Sequence, residues 1–150
     1  MQPDLKALLQ RGSGTFQWPT MSVPHRVIGE AERAGWTCGK VRLDTTNPFR
    51  KAAMFAAFQR DLDLPKWFGH NWDALADALA DWCPEASQRL LIVENVPVDP
   101  LDHPGAKPSE INSQMFVDIV GDASSDNRPF ILLVTSAKPL LGAEPVPLAR

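Results

Sequence analysis

Three aspartates, Asp73, Asp77 and Asp81, recur every fourth residue inside the run L-P-K-W-F-G-H-N-W-D-A-L-A-D-A-L-A-D-W between Leu64 and Trp82. That spacing puts all three on one face of a single helix, and no lysine or arginine lies within the helix to balance them. Like charges four residues apart cost an isolated helix about 0.2–0.5 kcal/mol per pair. A fixed row of carboxylates suits one task above others, complementing basic groups on another molecule. Charge rows are ordinarily solvated faces. Asp73, in the first turn, also gains about 0.3–1 kcal/mol from the helix dipole, a local reason that Asp77 and Asp81 lack. Upstream, Pro65, Lys66, Trp67 and Phe68 place two large aromatics in the loop feeding this face. An aromatic beside carboxylates is the composition of an interface hot spot.

Other constellations are weaker. His70, Asp73 and Asp77 stand at i, i+3 and i+7 and could offer three metal ligands, but structural zinc sites bring four ligands and often cysteine. Asp102 and His103, with Glu94 upstream, resemble an acid–base pair only on paper, because they lie in a proline-rich segment where surface polar residues are the rule. Cys83 has no local signature of a nucleophile, and no glycine-rich phosphate loop is present. The residues thus point to a protein without catalytic activity, metal or cofactor.

The elements that must position the acidic face can be read from periodicity. Trp72, Leu75, Leu79 and Trp82 step by three, four and three, the apolar stripe of an amphipathic helix whose other side carries the aspartates. Asn71 is its expected N-cap, after a flexible turn at Gly69. Core packing is the default for Trp72 and Trp82, and Trp18 and Trp36 are read as packing residues too. Three short apolar runs, Val41 to Leu43, Leu90 to Val93 and Phe130 to Val134, have the length and branching of buried parallel strands. Between them lie two further helical patterns. Phe49 to Leu62 carries Ala53, Phe55, Phe58 and Leu62 inward, and a helix capped by Ser109 runs to about Asp122 with Ile111, Met115, Ile119 and Val120 inward. Alternating strands and helices predict an α/β fold, a short parallel sheet of three or more strands flanked by helices. Pro97 to Pro108 reads as a long loop. Phe16 to Trp18 reads as a short strand and Pro24 to Gly35 as a helix ended by glycine.

With 150 residues, the chain is expected to form one domain over residues 1–138. Residues 1–38 are expected to pack on its core, and residues 139–150, with three prolines and no apolar period, to form an extended or flexible tail. The net charge of −3 and pI near 5.5 argue against direct nucleic-acid binding, which favours a basic patch. No signal-peptide h-region or membrane-length apolar stretch is visible. Cys38 and Cys83 are therefore read as reduced thiols of a soluble cytoplasmic protein.

The run L-P-K-W-F-G-H-N-W-D-A-L-A-D-A-L resembles the signature of the barstar family, intracellular inhibitors of secreted bacterial ribonucleases. The match is dense over Leu64 to Trp82 and looser over roughly residues 40–136. The resemblance implies that the signature helix and its preceding loop plug a nuclease active site, with helix carboxylates in place of RNA phosphates. Carried over residue by residue, Asp77 is the central phosphate mimic and Asp73 its neighbour, with Asp81 near the rim. Trp67 is the aromatic contact from the loop, Asn71 a polar contact, Trp82 the aromatic near the helix end, and Asp122 a further interfacial acid. The chain departs from the family pattern at Ala76, where a large aromatic precedes the central acid, at Ala80, where a polar residue stands, and at His70, where an acid is found. The implied partner is a basic secreted ribonuclease or nuclease-type toxin, bound by a chain that is monomeric when free. The alternative is a binding module on the same fold that recognises another basic protein without inhibiting a nuclease.

Overall fold

The computed structural model describes residues 2–43, 51–65, 69, 71–97, 113–121 and 128–149. These residues form helices α1 (Leu5–Gln10), α2 (His25–Arg33), α3 (Lys51–Asp61), α4 (Trp72–Ala80) and α5 (Ser113–Gly121), and strands β1 (Gly14–Gln17), β2 (Thr37–Arg42), β3 (Arg89–Glu94), β4 (Phe130–Val134) and β5 (Glu144–Pro145). The strands make one parallel sheet in the order β2-β3-β4-β1-β5, the α/β architecture expected from the alternation of elements.

Every residue of β3 and β4 is buried, because these strands are covered on both faces, and such strands are apolar without alternation. Their side chains nevertheless alternate between two cores. Leu91, Val93, Phe130, Leu132 and Val134 point into one core, with Phe55 and Phe58 of α3, Leu75 and Leu79 of α4, and Phe116, Val117 and Val120 of α5. Leu90, Ile92, Ile131 and Leu133 point into the other, with Leu5 and Leu8 of α1, Val27 and Ala31 of α2, and Trp18 and Trp36. Burying each such aliphatic or aromatic side chain contributes about 1.5–3 kcal/mol, so the acidic helix is held to the sheet mainly through Leu75 and Leu79. Trp18 and Trp36 are packing residues, as expected.

Several boundaries differ from the sequence reading. β2 begins at Thr37, four residues before the apolar run, because it is an edge strand whose first residues are only half buried. On α3 the most buried residues are Met54, Phe55, Ala57 and Phe58, whereas Ala53, and Leu62 just beyond the helix, are half buried. On α5, Phe116 and Val117 join Val120 inside and Ile119 is half buried. Ser109, Ile111 and most of the Pro97–Pro108 segment lie outside the described residues.

The C-terminal segment expected to be a flexible tail is instead built into the sheet. Glu144 and Pro145 pair with Phe16 and Gln17 of β1, Leu140 and Val146 are buried, and Pro3 bridges Leu148. Its prolines are compatible with this because β5 is an edge strand, where a missing N–H leaves no ladder bond unmade. Helix α1, unforeseen in the sequence, is six residues long and capped by Asp4, whose Oδ1 accepts from the Ala7 N–H.

Candidate functional site

Helix α4 begins where the sequence predicts. Asn71 is extended (φ −143°, ψ 169°), its Oδ1 accepts from the Ala74 N–H at 2.8 Å, and its Nδ2 donates to the Gly69 carbonyl at 2.6 Å. The cap side chain thus ties the helix to the loop residue before it and satisfies one of the free N–H groups of the first turn. Leu75, Ala78 and Leu79 are buried, and the half-buried Trp72 ring meets Phe55 edge-on, 5.5 Å between centroids at 80°. The opposite face carries Asp73 and Asp77, both exposed, and Asp81 follows as the exposed C-cap residue. Among the described residues none of the three aspartates takes part in an ion pair. Ala76 and Ala80 are half buried at the edge of this face. A capped helix of nine residues therefore holds Asp73 and Asp77 a single turn apart, with Asp73 at the positive end of the helix dipole.

The far end of α4 is closed by residues that sequence spacing did not suggest. The chain turns through Cys83, which is left-handed at φ +52°. Arg89, the first residue of β3 and fully buried, donates to the Leu79 and Trp82 carbonyls at 2.9 and 3.0 Å. Arg128, just before β4, donates to the Cys83 and Ala86 carbonyls at 2.8 and 3.0 Å and to that of Ala80 at 3.4 Å. Trp82 is half buried and packs on the core. Its indole lies so close over Gly39 of β2 that a Cβ there would stand 2.5 Å from Trp82 Cζ2. Nothing in the local pattern around Arg89, Arg128 or Gly39 marks these roles.

Of the residues proposed for partner binding, the structure brings Asn71, Asp73, Ala76, Asp77, Ala80 and Trp82 together on α4 and its ends. Trp67 and Asp122 lie outside the described residues, as do His70 and the Asp102–His103 pair. Among the described residues no group of three or more histidine, cysteine or acidic side chains is placed to hold a metal ion.

Away from this face, Glu94 at the end of β3 is a buried carboxylate. It accepts from the Val23 N–H at 2.6 Å and faces Lys40 at 3.4 Å and Arg42 at 3.3 Å. Burial pushes its pKa up, but the Val23 N–H and the two cations outweigh burial and hold it below the usual glutamate value. Cys38 and Cys83 are free. Burial, helped by Glu32, pushes the Cys38 thiol up to about 11, and burial raises Cys83 against the pull of Arg89 and Arg128. Both shifts favour the thiol over the reactive thiolate.

Among the described residues no helix is long and apolar enough to cross a membrane. Among curated proteins no relative matches the chain. Two solved structures of the Aeropyrum pernix ORC2 protein are similar in fold. One, described as ADPNP–ADP complexes, aligns with a TM-score of 0.52 at 12% identity, covering 92% of this chain and 43% of that one. The other, the ADP form, aligns at 0.53 and 15%, covering 88% and 39%. The present chain thus spans less than half the length of either, and the likeness at these identities is one of fold alone. The barstar (barnase inhibitor) model matches residues 39–135, a stretch that takes in β2 from Gly39 onward, β3, β4 and the whole acidic helix. With well over half its length matched, the chain belongs to the barstar family.

Proposed function

We propose that this protein is a non-catalytic inhibitor that seats the acidic face of α4 in the phosphate-binding cleft of a basic ribonuclease or nuclease-type toxin within the cytoplasm. The observation that carries the reading is the pair Asp73 and Asp77, exposed and without a cation on their own helix, on a helix fastened at both ends. A ribonuclease must present basic groups toward phosphate, and rigid carboxylates one helical turn apart complement such groups with little ordering left to do on binding. Asp77 is the centre of the contact and Asp73 its neighbour. Asn71, Ala76, Ala80 and Trp82 surround them, with Trp67 and Asp122 as further contacts. The free chain is a monomer and needs no cofactor.

The test is inhibition of barnase-like ribonucleases by the purified full chain and its variants. Asp77→Ala should weaken inhibition by a factor between ~30 and ~5,000, since truncating one partner of a buried, hydrogen-bonded charge pair costs about 2–5 kcal/mol, a general figure for which the barnase–barstar complex is a standard reference system. Asp81→Ala should change it only a few-fold, and association should slow as salt rises. Unchanged inhibition by Asp77→Ala refutes the assignment. The half-buried Ala76 makes the contact smaller than the family pattern. Binding to a basic nuclease that stays active would accordingly favour the second reading, a binding module without inhibition.

A further inference from the structure

The acidic helix has an unfavourable C-terminal end. Its last turn contains no basic residue, Asp81 is its C-cap, and a carboxylate there meets the negative pole of the helix dipole. The residue that reverses the chain is Cys83 at φ +52°, not the glycine that ordinarily takes this conformation. Yet five carbonyls between Leu79 and Ala86 are gathered by two guanidinium groups from other elements, Arg89 for Leu79 and Trp82, and Arg128 for Ala80, Cys83 and Ala86. Arg89 faces Phe130 across the β3–β4 ladder, and its guanidinium lies 5.0 Å from the centroid of that ring. The C-terminal end of α4 is therefore bolted to the starts of two adjacent central strands.

We infer that Arg89 and Arg128 are positioning residues that hold the Asp77–Trp82 end of the docking helix in one conformation. The inference rests, for its functional meaning, on the reading of α4 as the partner-binding face. A planar fork with several fixed donors can satisfy two or three carbonyls at once, whereas lysine offers a point charge on a flexible stem. The two cations also supply, from outside the helix, the positive charge that its own C-terminal turn lacks. Without them the Asp81 N–H bond to the Asp77 carbonyl and the Trp82 N–H bond to the Leu79 carbonyl, both 3.2 Å, open more often. The ordering of Asp77 and Asp81 must then be supplied at the moment of binding, which slows nothing in encounter but hastens dissociation.

Arg128→Gln is the informative variant, because Arg128 is only partly buried and precedes β4. Amide hydrogen exchange at Asp81 and Trp82 should accelerate about tenfold or more, the loss expected when a charged donor to partly buried carbonyls is removed, with the Leu91–Val93 amides unchanged. Arg128→Lys should fall between the two, and Arg89→Lys serves as the second variant. With barnase as the probe, Asp77→Ala reports on the docking reading and Arg128→Gln on the clamp. Faster exchange at Asp81 with Asp77→Ala harmless would sink docking and leave the clamp standing. Wild-type exchange at Asp81 and Trp82 in both Arg128→Gln and Arg89→Lys overturns the clamp.

Discussion

Gly39→Ala places one methyl group where Trp82 already stands. The added Cβ would lie 2.5 Å from Trp82 Cζ2, 3.0 Å from Cη2 and 2.8 Å from Leu62 Cδ2. Leu62 is half buried just beyond α3 and can turn its methyl aside. The indole cannot move as freely, because it packs on the core and its own carbonyl is held by Arg89. Overpacking of this kind costs about 1–3 kcal/mol. Replacing glycine also narrows the unfolded ensemble, which returns about 0.4–1 kcal/mol, so the clash wins and the net loss should be about 1–2 kcal/mol. For a chain of this size each kcal/mol lowers Tm by about 2–4 °C. The decisive assay is a double-mutant cycle with Trp82→Phe, which removes the indole atoms that the new methyl meets, followed by urea unfolding under far-UV circular dichroism. In the Trp82→Phe background Gly39→Ala should be close to neutral, giving a coupling of about 1 kcal/mol or more. Two losses that add within ~0.5 kcal/mol would show that Trp82 does not rest on Gly39, and the account of the helix end would fail with it.

Two further outcomes follow from named contacts. Asn71→Ala removes the cap of α4 and should lower stability by about 1 kcal/mol, measured as a fall in urea midpoint, while Asn71→Asp should retain most of it by keeping the acceptor to Ala74. Glu94 has its folded pKa held below the ordinary value, so the unfolded chain takes up the proton first. Its contribution is complete above the unfolded pKa and disappears as pH falls through the folded one. Urea midpoints between about pH 6 and pH 3 should therefore decline less steeply in Glu94→Gln than in the parent, and Asp61→Asn should remove a further part of the slope, since Asp61 is also lowered. An equal slope in parent and Glu94→Gln would show that the Val23, Lys40 and Arg42 contacts are not sensed in solution.

What the sequence by itself determined is the local and periodic part of this protein. Leu90–Val93 and Phe130–Val134 announce central strands because a strand buried on both faces must be apolar throughout. Trp72, Leu75 and Leu79 announce α4 because one stripe of a helix must face the core. Asn71 announces its start because a cap acts on its own neighbours three residues on. The acidic face is legible for the same reason, its spacing being a property of one helix. Tertiary structure alone decided the rest. The two-residue strand β5 has too little length to carry a pattern, and it exists because β1 offers it an open edge. The place of Trp82 depends on Gly39, forty-three positions earlier by numbering. The clamp on α4 joins carbonyls of residues 79–86 to Arg89 and Arg128, and Arg128 is brought there only by the pairing of β3 with β4. Contacts of this range leave no periodicity in the chain, because the residues that make them are neighbours only after the sheet has formed.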